Sequence, residues 1–118
     1  MNSIEFFDVE NRTNAIVVHM RIATLREGVD SESIKLGLLR VVEQYEPEQA
    51  VIDFSRVKFF SSSVFSMLLN VRRQLNANGG VLKLSGMNDS LIEVCGLMGL
   101  SELLRSYETI DEALMADC

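Results

Sequence analysis

Three consecutive serines, Ser61, Ser62 and Ser63, offer the hydroxyls best placed for chemistry in this sequence. They stand between an apolar run, Ala50 to Phe54, and a stripe formed by Val64, Leu68, Val71 and Leu75. The triplet therefore joins the C-terminal end of a central strand to the N-terminus of a helix. Oriented N–H groups and the helix macrodipole favour negative charge at such a point. A phosphate there would bring about −1.5 to −2 charges and three strong acceptors, enough to rewrite a docking surface without moving the fold. Serine is also what capping alone asks for at a helix start, so a plain N-cap is the competing reading.

The other candidates converge less. The only histidine, His19, lies in mid-strand on the less apolar face and reads as a surface or half-buried structural residue. With no Cys or His partner it makes neither a metal set nor a general-base case. Asp53 is the one carboxylate inside the central strand. Burial there is unfavourable unless the carboxylate is hydrogen-bonded, so its side chain is expected at the edge of the sheet. Asn78, Gly79 and Gly80 close a helix and lack the spacing of a phosphate loop. Arg72 and Arg73 read as a solvated helix face. Cys95 and Cys118 show no paired-cysteine spacing and read as reduced thiols. No catalytic group, metal or cofactor is expected.

The totals bound the setting. A length of 118 residues is one domain's worth, so residues 1–118 are expected to fold as a single unit. The apolar fraction of 47% and charged fraction of 24% fit an ordinary globular chain. A formal charge of −6 argues against nucleic acid as a general partner, because polyanion binding needs clustered Lys and Arg. No uncharged apolar stretch approaches the length of a membrane span, and a cytoplasmic chain without membrane insertion is expected.

The elements that would position the serines can be read in order. Glu5 to Glu10 and Ala15 to Ile22 form two strand-like stretches around the turn-prone Asn11 to Asn14. In the second, Ile16, Val18, Met20 and Ile22 alternate with Val17, His19 and Arg21, which predicts one buried and one half-wet face. The cluster Asp30 to Ser33 suits a helix start, and Ile34, Leu38, Val41 and Tyr45 give its apolar stripe up to Pro47. The strand Ala50 to Phe54, the serine-led helix and the strand Val81 to Leu84 follow. Ser90 with Glu93 has capping-box spacing and opens a third helix that Gly99 ends. Leu103 to Tyr107 makes a last short strand or link, and Thr109 with Glu112 starts a terminal helix. The order ββαβαβα(β)α predicts an α/β domain with a mixed, mainly parallel sheet of four to five strands and about four helices.

From Ala50 to Leu114 the sequence resembles the STAS domain of bacterial anti-sigma factor antagonists, and the likeness reaches back through the hairpin and first helix. Gly79-Gly80, Gly99-Leu100 and the stretch Thr109 to Leu114 match that family's pattern closely. Where the family carries Asp-Ser-Ser/Thr-Gly-Leu-Gly, this chain has Ser61, Ser62, Ser63, Val64, Phe65 and Ser66. Ser62 falls on the serine that a partner kinase phosphorylates, with Ser61 and Ser63 as alternatives. Ala23, Thr24, Leu25 and Arg26 stand where Gly-Glu-Leu-Asp is usual. Val64 puts a β-branched side chain where glycine admits a close backbone approach.

The resemblance implies a monomeric protein-interaction module that binds an anti-sigma factor/serine kinase when unphosphorylated and is released by phosphorylation. It implies a docking surface built from Thr24, Arg26, Phe60, Ser61, Ser62, Ser63, Phe65 and Ser66, with Phe60 and Phe65 as apolar anchors or as core. A non-phosphorylated STAS adaptor in a transport or signalling scaffold complex is the alternative.

Overall fold

The computed structural model describes residues 6–25 and 29–116; Glu5, Arg26 and Cys118, named above, lie outside them. The chain opens with a hairpin in which β1 (Phe7–Arg12) pairs antiparallel with β2 (Ala15–Met20). The turn is only Thr13-Asn14, two residues shorter than expected. Asn14 adopts φ 60°, a left-handed conformation that Asn tolerates in tight hairpins.

A mainly parallel sheet grows from β2. The strands β4 (Gln49–Asp53), β6 (Val81–Ser85) and β7 (Ser106–Tyr107) join it in the order β1-β2-β4-β6-β7, every pairing after the first being parallel. Between them, β3 (Thr24–Leu25) and β5 (Phe59–Phe60) make a separate two-stranded parallel pair that the sequence does not announce. Four helices complete the domain: α1 (Val29–Tyr45), α2 (Ser63–Ala77), α3 (Asp89–Leu97) and α4 (Ile110–Met115).

Strand alternation sorts the residues onto two faces. Ile16, Val18, Ala50, Ile52, Leu82 and Leu84 join the main core with Ile34, Leu38 and Val42 of α1 and Val64, Leu68, Val71 and Leu75 of α2. The α1 stripe thus ends on Val42; Val41 is only partly buried and Tyr45 is exposed, because the helix rotates about 100° per residue and its last turn passes the edge of the core. The opposite face of the sheet is drier than predicted. Val17 and Val51 are fully buried, and α4 lies over β4 and β6. Only His19 on β2 keeps the half-wet character expected of that side.

The helix ends show how the chain is held. The Cβ of any other residue at Gly80 would come 2.5 Å from the Pro47 carbonyl oxygen, so glycine is required where the link into β6 crosses the end of α1. For α3 the cap is Asn88 and not Ser90. Asn88 has extended backbone and its Oδ1 accepts from Leu91 N–H at 2.9 Å, while Ser90 sits exposed inside the first turn. Thr109 caps α4 as predicted, accepting from Glu112 N–H at 3.1 Å. At the other end of α4, Lys83 donates to the carbonyls of Ala113 (2.8 Å) and Ala116 (2.7 Å) and to Gln49 Oε1 (2.9 Å). A cation is well placed at a helix C-terminus, which is how a lysine only 2% exposed is accommodated on the sheet.

Candidate docking site

The central strand β4 delivers the chain to one end of the sheet. Phe54 N–H donates to Ser85 O at 2.8 Å, and Val57 N–H closes a turn onto Phe54 O at 2.9 Å. Lys58 and Phe59 N–H both donate to Ala23 O, at 2.8 and 3.2 Å, which starts the β3–β5 pair. In that register Thr24 faces Phe59 and Leu25 faces Phe60. The structure therefore pairs two segments that the resemblance assigned to one docking surface. A third element ties in, since Asn88 Nδ2 donates to Lys58 O at 3.0 Å. One residue thus caps α3 and fixes the turn that leads to the serines.

The three aromatic side chains divide. Phe60 and Phe65 are 4% and 1% exposed. Their rings pack edge to face at 4.9 Å, and Phe60 also lies 5.5 Å from Phe54. Both are core residues, so the anchor role considered for them is not available in this conformation. Alternation along β5 turns Phe59 the other way, and it is 52% exposed. The site's surface aromatic is Phe59.

The serine triplet is not a cap. Ser62 already has helical backbone angles, φ −60° and ψ −24°, and its side chain makes no capping bond. The first turn of α2 is closed by backbone instead: Val64 N–H donates to Ser61 O at 3.0 Å and Phe65 N–H to Ser62 O at 3.1 Å. Ser61 Oγ and Ser63 Oγ lie 2.8 Å apart and bond each other, both half-buried. Ser62 is exposed, and its hydroxyl bonds no described residue. Ser66 is exposed one turn further along the same helix face. Val64 is fully buried, so its branched side chain does not stand between this surface and a visitor. Thr24 is exposed beside Phe59 across the β3–β5 pair.

Asp53 is the clearest correction. It lies in the central strand of the sheet and is buried, not directed to an edge. Its carboxylate is satisfied locally: Oδ1 accepts from Ser85 Oγ at 2.9 Å, and Oδ2 accepts from Ser55 Oγ and, at 3.4 Å, from Ser55 N–H. Gly86, with φ +71°, permits this arrangement, because a Cβ there would sit 2.8 Å from Asp53 Oδ1 and 2.9 Å from Ser55 N. These contacts hold the end of β4 against β6, directly before the turn to the site.

His19 and Cys95 hold structural positions. His19 Nε2 pairs with Glu10 Oε1 at 3.0 Å on the outer hairpin, and Arg12 Nε meets Glu10 Oε2 at 2.6 Å. Hydrogen bonds from Arg12 and then His19 hold the Glu10 carboxyl below its ordinary value. Burial pushes the Cys95 thiol up, which disfavours the reactive thiolate. Among the described residues, no group of three or more His, Cys, Asp or Glu is placed to hold a metal ion, and no helix is long and apolar enough to cross a membrane.

A family model described as STAS domain matches residues 8–113. Among solved structures, the fold is similar to an anti-sigma-factor antagonist (STAS) domain protein from Planctomyces limnophilus, with TM-score 0.81, 25% identity, and coverage of 92% of this chain and 94% of that one. The phosphorylated form of the Bacillus cell fate determinant SpoIIAA gives TM-score 0.69 at 22% identity, covering 92% and 96%. A sulfate transporter family protein from Wolinella succinogenes gives TM-score 0.72 at 24% identity, covering 87% and 84%. No curated protein matches the sequence.

Proposed function

The chain belongs to the STAS domain family, and from that premise we propose that it is an anti-sigma factor antagonist-like docking module whose partner reads the charge state of Ser62. The observation that carries this reading is the exposed Ser62 hydroxyl, free of any cap bond, between two serines that satisfy each other. Of the three hydroxyls, it is the one an incoming kinase reaches without first breaking an internal bond. Likeness to an anti-sigma factor antagonist over nearly the whole chain supports the partner class, a cytoplasmic anti-sigma factor that is also a serine kinase.

In this reading the chemistry belongs to the partner. The kinase transfers the γ-phosphoryl group of ATP to Ser62 Oγ, the hydroxyl proton leaves to a base of the kinase, and ADP departs. The product carries about −1.5 to −2 new charges at the positive end of α2. Ser61 replaces the carboxylate that precedes the acceptor in the family, so the phosphate meets no like charge at that neighbour. Phe59 supplies an apolar contact beside it, with Thr24 and Ser66 at the margins, and the domain acts as a monomer.

The same replacement favours a second reading. A chain whose Asp-Ser-Ser-Gly motif has become Ser61 to Val64 fits a STAS adaptor that is never phosphorylated and serves as a subunit of a transport or signalling complex. Incubation with ATP and kinase-containing extract of the host, followed by intact-mass measurement and fragmentation, separates the two. The first reading expects one added phosphoryl group on Ser62, absent in Ser62→Ala. An unmodified chain that still captures its partner establishes the adaptor.

A further inference from the structure

A cleft of about 210 Å³ opens between α2, the start of β6 and the link into β7, lined by Arg72, Asn76, Leu82, Glu102, Leu103 and Arg105, with Val81 and Lys83 behind them. It lies at the N-terminal end of β6, whereas the serine triplet follows the C-terminal end of the parallel strand β4. The two sites therefore occupy opposite ends of the sheet, and nothing in the docking reading accounts for the second.

Its charge is unusual for a chain of net charge −6. Arg72 and Arg105 face one cleft from different elements, and neither makes an ion pair with any described residue, although four other basic side chains do. Glu102 also lines the cleft and pairs with neither arginine. The Lys83 amine is engaged elsewhere, with Gln49 and the end of α4. One carboxylate against two guanidinium groups leaves a net positive cleft.

Both arginines stand on held backbone. Arg72 follows Val71, a core residue of α2, and the Arg105 carbonyl accepts from Leu84 N–H at 2.9 Å at the sheet edge. Two guanidinium groups presented from separate elements suit an anion with several oxygens, since their planar donor forks match carboxylate or phosphate geometry. Asn76 adds an amide. The volume lies below the roughly 300–1,000 Å³ of sites for drug-sized ligands, which selects a small polyanion.

We propose that this cleft binds a small phosphate-bearing anion, gripped by Arg72 and Arg105 and tempered by Glu102. It gives the domain a small-molecule input distinct from the docking face.

The test is a proton–nitrogen NMR titration of the full chain with inorganic pyrophosphate at constant ionic strength, repeated on Arg105→Gln, Arg72→Gln and Glu102→Gln. Saturable shifts are expected at the amides of Asn76, Leu82 and Arg105. Each arginine substitution weakens binding by at least about tenfold, and Glu102→Gln tightens it several-fold. Opposite signs for the arginine and glutamate variants cannot arise from lost folding, and the spectra of the variants report the fold directly. Absence of saturable shifts, or affinities in which all three variants move together or not at all, overturns the proposal.

Discussion

Ser61 Oγ and Ser63 Oγ sit 2.8 Å apart at the entrance to α2. The hydroxyls that flank Ser62 are thereby spent on each other, and helix entry relies on backbone bonds from Val64 and Phe65. Ser62 consequently holds no structural post. Ser62→Ala is expected to change unfolding free energy by less than about 0.5 kcal/mol, whereas Ser61→Ala or Ser63→Ala removes a half-buried hydrogen bond and costs about 0.5–1.5 kcal/mol. Urea unfolding of the three variants makes the comparison, and a Ser62 variant as damaging as its neighbours would restore the capping explanation.

Asn88 should matter at a distance from its own helix. Its side chain caps α3 through Leu91 N–H and steadies the Phe59 turn through Lys58 O. Asn88→Ala is expected to cost about 1–2 kcal/mol and to speed amide exchange at Phe59 and Phe60 as well as in the first turn of α3. Asn88→Asp keeps the cap acceptor but loses the donor, so it should retain protection in α3 and lose it at Phe59.

Gly86 is predicted to be intolerant. Its φ of +71° and its distance to Asp53 and Ser55 leave no space for a methyl group. Gly86→Ala should cost about 1–3 kcal/mol, measured as a lowered urea midpoint. The same variant should loosen the Ser55 to Phe60 turn, detectable as faster hydrogen exchange there.

The outer hairpin carries a small acid-sensitive contribution. Hydrogen bonds from Arg12 and then His19 lower the Glu10 pKa in the folded state. A depressed carboxylate stabilises the fold at pH values above its unfolded pKa, and that contribution is lost as pH falls through the folded value. The stability difference between the wild-type chain and Glu10→Gln should therefore hold steady at neutral pH and vanish in the acid range. Urea midpoints of both proteins across a pH series test it, and a difference that grows on acidification contradicts the assignment.

Much of the fold was legible because its signals are periodic. The α2 stripe Val64, Leu68, Val71 and Leu75 is buried as its spacing predicts, the Thr109 cap is real, and β4 is central as its short, mostly apolar run implied. The site was harder to read. A two-residue strand has no period, so the pairing of Thr24 with Phe59 leaves no trace in sequence, yet it decides that Phe59 faces out and Phe60 faces in. Asp53 looked costly in mid-sheet because its hydroxyl partner, Ser85, lies 32 positions away. Ser90 offered the regular box spacing, but Asn88 held the extended backbone that a cap needs. For the strand pair and Asp53 the missing information was a long-range contact, and for α3 it was the backbone conformation at Asn88.

The most direct measurement is the affinity of the proposed anti-sigma factor partner for the chain before and after a phosphate is placed on Ser62, by titration calorimetry with the two forms side by side. The unmodified chain is predicted to bind at least about tenfold more tightly, equivalent to about 1.4 kcal/mol. Equal affinities for the two forms would contradict the claim that this hydroxyl is what the partner reads.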